Sequence, residues 1–417
     1  MTDRRRQVTA GIRNHRGQFI WLALNVLLVG ATLGVERTVV PLLGRDVYHV
    51  GAAVALSFVS SFGITKALIN MGAGRWSDRR GRIPILRWGW LMGIPLVILL
   101  LTVRLWWAII VANVFLGANQ GLAWTMTITA QLDLVDSSER GLAMGINEAM
   151  GYLGVAGATV AAGFLGIGGH LQTRPFYLEA LIVGLGGFMS MAMIRETRGR
   201  VTVTVSEDQK THGIPFKRLF ADTTWRNKAL SSVTAGGFVN KLVDTTAWGV
   251  LPLYFASQHQ SLATISLLSG IYGGVWGVGQ FGTGLLSDYI GRKPLIVGGL
   301  LLLGFGLMGI AWGHGVILWV LMAAVMGLGM ALAYPVLNAA VADVAPVKDR
   351  GAILGIYRLW RDAGYAVGGV GLGLLIAVIG IPGSLWTMAL VVWAVAIMIW
   401  GRMPETHPCP RRLKSAA

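Results

Sequence analysis

The sequence is poor in charged residues. Only 13% of its 417 residues are charged and 54% are hydrophobic, whereas a soluble protein carries about 25% charged residues. The hydrophobic residues fall in runs of about 18 or more, the length that a helix needs to cross the hydrocarbon core of a bilayer. This pattern excludes an ordinary soluble protein and predicts a polytopic membrane protein.

The sequence also lacks the residues of most enzyme and metal sites. Cys409 is the single cysteine, which excludes disulfides and cysteine-metal sites. No phosphate-cradling loop, His-Glu-x-x-His zinc motif or nucleophile elbow occurs. No catalytic residue, metal site or cofactor is therefore predicted, and an enzyme is not expected. Without a nucleotide site, the energy is expected to come from a proton or other ion gradient. The first hydrophobic run is too long for a cleavable signal peptide and lacks its small-residue cleavage site.

The net charge of +16 is unevenly distributed along the chain. Arginines and lysines cluster before the first hydrophobic run, in the turn after the second, and between residues 195 and 228. The turns on the other side carry only Arg45, Arg104 and Arg174. The protein is expected in the cell membrane (inner or plasma membrane). The positive-inside rule predicts that both termini lie on its cytoplasmic side. The charge indicates topology and lipid contact, and no nucleic-acid partner is predicted.

A basic turn at residues 74–84 occurs twice. It reads Gly-Arg-Trp-Ser-Asp-Arg-Arg-Gly-Arg-Ile-Pro and returns 210 positions later, at 284–294, as Gly-Leu-Leu-Ser-Asp-Tyr-Ile-Gly-Arg-Lys-Pro. Further matches at the same offset join Asp133 to Asp343 and Arg140-Gly141 to Arg350-Gly351. Two copies of a unit of roughly 200 residues therefore make up nearly the whole chain.

Hydrophobic periodicity predicts twelve membrane-spanning helices, called spans 1–12 below. They lie near 18–41, 51–73, 84–103, 105–130, 140–166, 175–195, 229–255, 262–286, 294–313, 316–342, 351–379 and 382–401. The predicted organisation is an N-terminal tail (1–17), a six-helix bundle (18–195), a cytoplasmic linker (196–228), a second six-helix bundle (229–402) and a tail (403–417).

Two runs of six helices, each with this basic turn after its second helix, resemble the 12-span type of the major facilitator superfamily. The turn matches the superfamily's signature loop, Gly-x-x-x-Asp-x-x-Gly-Arg. The resemblance implies an all-α membrane protein of two pseudo-symmetric six-helix bundles, which transports a small molecule by alternating access about a central site. Drug-proton antiporters of the superfamily usually carry an arginine where this sequence has Gly117, and a Gly-Pro pair in span 5 that is absent here. Both differences weaken an assignment as a drug antiporter.

The resemblance also implies a gating role for the signature loops. Asp78 is expected to approach the N-terminus of span 11, where exposed N–H groups favour a carboxylate, and Asp288 that of span 5. These contacts would close the cytoplasmic side. The alternative is a solvated turn that anchors to anionic lipid. The loop residues predicted to gate are Gly74, Asp78, Arg82, Gly284, Asp288 and Arg292.

Ionisable residues within spans each cost at least about 2.5–3.5 kcal/mol near the membrane centre and are therefore functional candidates. Mutual neutralisation is the alternative explanation. Lys66, Glu148 and Arg358 each lie about eight residues from a cytoplasmic span end, roughly 12 Å deep. We interpret these three as facing the cavity. The ten ionisable residues are Glu36, Arg37, Lys66, Glu148, Glu179, Lys241, Asp244, Arg358, Arg361 and Asp362.

Three acids are candidate proton carriers. Glu148 ranks first because no basic residue lies within one helical turn of it. Asp244 is second, since Lys241 at i−3 can hold it ionised. Asp362 follows Arg358 by one turn and is expected to serve as its counter-ion. Glu36 and Arg37 are predicted to form an outer gate, with Glu179 as the partner of Arg37; interface anchoring is the alternative.

The residues predicted to face the substrate come from spans 1, 4, 7 and 10, which line the cavity by resemblance, and from the buried basic set. Each polar side chain can equally bind neighbouring helices together. They are Asn25, Lys66, Asn119, Gln120, Trp124, Asn240, Lys241, Trp248, Tyr334, Asn338, Arg358 and Arg361.

Three functions stay open at this point. The first is proton-coupled export of a small molecule, and the second is symport or exchange of a small organic or inorganic anion. The third is a non-transporting membrane sensor or scaffold. Membrane lipid, a small-molecule substrate and protons are the expected partners, and the protein is expected to be a monomer.

Overall fold

The long hydrophobic runs form helices in a computed structural model of the chain, which describes residues 11–136, 139–198, 215–346 and 349–407. The first six spans are Arg16–Asp46, Ser57–Arg80, Arg82–Thr102, Trp106–Leu132, Arg140–Leu165 and Arg174–Ala192. Leu262–Ile290, Arg292–Trp312 and Val316–Val344 form spans 8–10. Within these described ranges, ten helices are long and hydrophobic enough to cross a membrane.

The remaining three spans contain an irregular turn or adjoin a kink. Span 7 runs continuously through Lys228–Thr245, a π-helical turn at Thr246–Val250 and Leu251–Ser257. The helix Arg350–Arg402 is two helices joined at a kink, because Gly380 has a φ of 73°. Dividing it there gives spans 11 and 12. The prediction of an all-α membrane protein with twelve spans in two six-helix bundles is confirmed.

The predicted domain limits stay predictions. The linker assigned to 196–228 includes residues 199–214, which lie outside the described residues, as do residues 1–10 and 408–417 of the two predicted tails. The described part of the linker contains the short helix Phe216–Ala221 and a π-helical turn at Asp222–Arg226.

Both signature loops turn at a glycine. Gly81 separates spans 2 and 3 with a φ of 97°, and Gly291 separates spans 8 and 9 with a φ of 104°. Such positive values are strained for other residues, so glycine is required here. The two loops lie at one end of the bundles, which we call the basic end; the other end is the opposite end.

The two bundles are packed together at the opposite end. A Cβ atom at Gly373 of span 11 would lie 2.6 Å from the Cα of Ala53, and one at Gly369 would lie 2.7 Å from the carbonyl oxygen of Leu56. Near the basic end, a Cβ atom at Gly74, Gly284 or Gly355 would meet no atom within 4 Å. The structure is therefore closed at the opposite end and open at the basic end.

Aromatic side chains form the innermost part of this closure, which we call the aromatic plug. Phe58 and Phe62 of span 2 pack edge-on against Trp248 of span 7, with ring centroids 5.4 and 5.1 Å apart. Phe62 also meets Tyr365 of span 11 at 5.3 Å. Since these rings belong to different bundles, the plug must separate before the opposite end can open.

Candidate functional site

Arg82 holds the first signature loop together. Its Nη1 donates to Asp78 at 2.7 Å and to Ser77 at 3.2 Å, and its Nε donates to Asp133 at the end of span 4 at 2.9 Å. Glu196, just after span 6, accepts the backbone N–H groups of Arg82 and Ile83. The loop thus fastens four spans of one bundle to each other.

The second bundle repeats this arrangement. Arg292 pairs with Asp288 at 2.7 Å and with Asp343 at 2.9 Å, and it also donates to Ser287. Glu405 accepts the N–H groups of Arg292 and Lys293. Comparing the two repeats at their common offset of 210 does not match Glu196 with Glu405, because these two residues are 209 positions apart.

Glu196 is strongly hydrogen-bonded at the surface of the basic end. Burial by itself opposes ionisation of this carboxyl, but backbone N–H donors of Arg198, Arg82, Ile83 and Thr197 outweigh burial and lower its pKa. Glu196 therefore caps the start of span 3 as a carboxylate.

The predicted contacts between signature loops and the other bundle are not formed in this open structure. The side chains of Asp78 and Asp288 are 71% and 50% exposed, and each pairs with the arginine of its own loop. Among the described residues, neither is hydrogen-bonded to span 11 or span 5. The physical reason is that the bundles have parted at the basic end, so the gating role of these aspartates stays a prediction for the other conformation.

A buried ion pair joins the two bundles beside the aromatic plug. Arg37 of span 1 donates Nη1 and Nη2 to Asp244 of span 7 at 2.7 and 3.0 Å. Asp244 also accepts hydrogen bonds from Lys241 at 3.3 Å, Tyr272 at 3.2 Å and Tyr365. The predicted pairing of Arg37 with Glu179 is wrong, because Arg37 is directed at the other bundle.

Aromatic rings enclose Lys241. Its Nζ lies 4.7 Å from the ring centre of Trp276 and 4.6 Å from that of Tyr334, and it donates to the hydroxyl of Tyr152 at 3.1 Å. Cation–π contacts of this kind stabilise a desolvated ammonium group. Lys241 is buried and fully engaged, so the structure does not place it at the free surface of a cavity.

A polar cavity lies on the basic-end side of the plug. Residues of both bundles line it: Lys66, Asn70, Gln120, Trp124, Thr125, Ile128, Glu148, Tyr152, Tyr334, Arg358 and Arg361. It brings together seven predicted site residues, namely Lys66, Gln120, Trp124, Glu148, Tyr334, Arg358 and Arg361. Lys66, Glu148 and Arg358, which the sequence groups by depth as facing the cavity, therefore lie on one lining.

The three basic residues of this cavity differ in their partners. Arg361 pairs with Asp362 at 2.8 Å, and Asp362 also accepts a hydrogen bond from Asn70 at 2.6 Å. Lys66 and Arg358 make no ion pair with any described residue. The Nζ of Lys66 instead faces the rings of Phe62 and Trp124, 5.3 and 5.6 Å from their centres. The counter-ion of Asp362 is Arg361, so the predicted pairing with Arg358 is wrong.

Glu148 lines this cavity, and only one oxygen of its carboxyl group is hydrogen-bonded to a described residue. Its Oε1 accepts a hydrogen bond from the indole nitrogen of Trp124 at 3.1 Å. Its Oε2 is buried and has no hydrogen-bond partner among the described residues. Of the three predicted proton carriers, Glu148 is thus the acid that lines the cavity and forms no ion pair with a described residue.

Several predicted substrate residues instead bind helices to each other. Asn25 donates to the carbonyl of Gly186 at 3.1 Å and accepts from Trp90 at 3.1 Å. Asn119 donates to the carbonyl of Gly89 at 2.9 Å. Asn240, Trp248 and Asn338 also lie away from the cavity lining: their contacts are Met330, the aromatic plug and the carbonyl of Tyr334.

Sequence reasoning missed Tyr152, Tyr272 and Tyr365 as parts of the central network. Tyr152 follows Glu148 by four residues and Tyr365 follows Arg361 by four. Residues four apart share a helix face, so this spacing was the available signal.

Glu36 of the predicted outer gate accepts a hydrogen bond from Asn113 at 2.7 Å, inside its own bundle.

Comparison with known proteins gives matches over nearly the whole length. The family model for the Major Facilitator Superfamily matches residues 20–240 and 233–417. Inner membrane transport protein YajR of Escherichia coli is 31% identical over 178 residues, which are 42% of this chain and 38% of YajR. The uncharacterized MFS-type transporter YdeG of Bacillus subtilis is 25% identical over 374 residues, 83% of this chain and 86% of that protein.

The fold has matching solved structures as well. A crystal structure of a D-xylose-proton symporter superposes with a TM-score of 0.75 at 18% identity, covering 94% of this chain and 98% of the other. Together with the duplicated signature loop and the two six-helix bundles, the matched family model leads to one conclusion: the chain is a multi-pass membrane transporter that belongs to the major facilitator superfamily.

Proposed function

We propose that this secondary transporter carries a small organic anion and that a proton accompanies it. The observation that carries the proposal is a pair of cations, Lys66 and Arg358, which line a cavity between the bundles and have no ion-pair partner among the described residues. Charged side chains inside membranes are normally paired. An anionic cargo supplies the missing partner for both.

The other walls of the cavity fit an organic cargo. Trp124, Tyr152 and Tyr334 present aromatic surface beside the cations, and such rings bind hydrophobic or planar groups. Arginine also binds carboxylate or phosphate groups through two parallel hydrogen bonds. A carboxylate or phosphate ester with a compact hydrophobic part suits this lining.

The position of Glu148 favours symport. An anion in this cavity would repel an ionised Glu148, and a nearby like charge favours the protonated form of a carboxyl group. Anion and proton should therefore strengthen each other's binding. Proton-coupled export, the function favoured by the sequence, would require the cargo to displace the proton.

Ligand binding to the purified full-length protein tests the proposal. Thermal stability, followed by tryptophan fluorescence, is measured with small carboxylates and phosphate esters and with neutral and cationic analogues. We expect stabilisation by anions that strengthens at lower pH and is lost in Lys66→Gln and Arg358→Gln. Arg75→Gln, which alters an exposed arginine of the signature loop, is the matched control and should bind normally.

Two outcomes would contradict the proposal. Stabilisation by cations alone would exclude an anionic cargo. Anion binding that weakens on acidification would replace symport with exchange against protons. In Glu148→Gln, which mimics the protonated residue, anion binding should become independent of pH.

A further inference from the structure

Two buried acids of the first bundle form no ion pair with any residue that the structure describes. Glu36 of span 1 and Glu179 of span 6 are both fully buried. Oε1 of Glu36 and both carboxyl oxygens of Glu179 have no hydrogen-bond donor among the described residues. Asp244 and Asp362, by contrast, are each held by an arginine.

The packing of spans 1 and 6 places these two acids about one helical turn apart in membrane depth. The hydrogen bond from Asn25 to Gly186 aligns these antiparallel neighbouring helices. From there toward the opposite end, Glu36 lies about three turns along span 1 and Glu179 about two turns along span 6. A separation of one turn, about 5.4 Å, is within the combined reach of two glutamate side chains.

In the described part of the chain, the surroundings of the pair offer hydrogen bonds but no ion-pair partner. Asn113 of span 4 donates Nδ2 to Glu36 at 2.7 Å, and its own Oδ1 is buried without a partner. Thr159 of span 5 is bonded to the backbone carbonyls of Gly34 and Val155. Arg37 follows Glu36 in the chain, but successive helical residues do not face each other, and both its terminal nitrogens bind Asp244.

An isolated buried carboxylate is costly enough that such groups normally take up a proton instead. Two carboxyl groups that share one site cannot both ionise readily. We propose that Glu36 and Glu179 form a proton-binding site inside the first bundle, separate from Glu148 and from the cargo cavity. Asn113 orients Glu36 within this site.

The proposed site is located where its proton can respond to the conformational change. It lies next in sequence to Arg37, whose bond to Asp244 joins the bundles at the closed end. When that end opens, Arg37 loses its partner in the other bundle, and water gains access to this level of the membrane. The proton of the Glu36–Glu179 pair is then released on the side to which the opposite end opens.

Infrared spectroscopy of the full-length protein in lipid tests this directly. A protonated carboxyl group has a C=O band that shifts when H₂O is replaced by D₂O. At neutral pH we expect such a band, weakened in Glu36→Gln and in Glu179→Gln and lost in the double variant. Glu139→Gln, which changes a carboxyl bonded to a backbone N–H at the basic end, is the control and should leave the band unchanged.

A double variant with the wild-type band would show that the pair is not protonated and overturn the proposal. If the wild-type band disappears when sodium chloride replaces choline chloride at constant pH, the pair binds sodium and the assignment to protons is wrong. The single variants keep the test valid if the double variant does not fold. Because the measurement needs no cargo, its result is independent of the proposed anion transport.

Discussion

Arg37 in span 1 and Asp244 in span 7 form a bidentate ion pair, with N–O distances of 2.7 and 3.0 Å, that is buried between the two bundles. Removing one partner of a buried ion pair typically costs about 3–5 kcal/mol. In Arg37→Gln this cost falls on the conformation that is closed at the opposite end.

We therefore expect Arg37→Gln to open the opposite end more often. A cysteine replacing Ala53, in a background with Cys409→Ser, should react faster with a water-soluble thiol reagent. Arg45→Gln removes an exposed ion pair at the same end and should have no effect. Equal labelling rates in Arg37→Gln and Arg45→Gln would show that the buried pair does not hold this end closed.

Gly373 allows span 11 to contact the other bundle at Ala53. A leucine there cannot fit, because even its Cβ atom would lie 2.6 Å from the Cα of Ala53. Gly373→Leu should prevent closure of the opposite end and abolish transport. Gly371→Leu is the matched control, since a Cβ atom at Gly371 meets nothing within 4 Å. Transport that survives in Gly373→Leu would mean that this contact is dispensable.

Asp78 is exposed here but is expected to bind the N-terminus of span 11 when the basic end closes. Asp78→Asn removes the charge that favours this contact, worth about 0.3–1 kcal/mol at a helix end. The population should shift toward the conformation open at the basic end, and a cysteine replacing Gly355 should label faster. Asp136→Asn changes another exposed acid at the basic end and serves as the control. Unaltered labelling in Asp78→Asn would show that Asp78 does not stabilise the closed basic end and only holds its own loop together.

Glu196 should stabilise the fold in a pH-dependent way. Its folded pKa is lowered because backbone N–H donors outweigh the effect of burial. A lowered pKa gives stability that is present above the unfolded-state pKa and is lost as pH falls through the folded pKa. Glu196→Gln should thus melt at a lower temperature than wild type at neutral pH, and the difference should shrink in acid. If the difference in melting temperature stays the same at acidic pH, the stabilisation comes from the packing of the Glu196 side chain and not from its charge.

The fold was predictable because its signals are repeated and periodic. Twelve hydrophobic runs and a signature loop present twice determine the architecture, and depth from the span ends grouped Lys66, Glu148 and Arg358 before the structure placed them on one cavity. Side-chain pairing was less predictable. The partner of Arg37 depends on the rotation of span 1 about its axis, which hydropathy does not specify. The predicted partner is therefore Glu179, whereas the structure pairs Arg37 with Asp244.

Polar residues of the cavity-lining helices were also hard to assign from sequence. Asn25 and Gln120 have similar chemistry and both hydrogen-bond to neighbouring helices, but only Gln120 also lies in the cavity lining. The difference arises from which face of each helix meets a neighbour. A single sequence contains this information only where residues four positions apart, such as Glu148 and Tyr152, indicate the same face.

The equivalent positions of Glu148 and Arg358 in the two repeats have an electrical consequence. The repeats place these opposite charges at the same depth, so the dipole between them lies parallel to the membrane. A membrane voltage acts on charge that moves across the bilayer, by about 2.3 kcal/mol per elementary charge per 100 mV. A dipole parallel to the plane gains little from that field when the bundles rock. The Glu148–Arg358 pair by itself should therefore contribute little to the voltage dependence of transport.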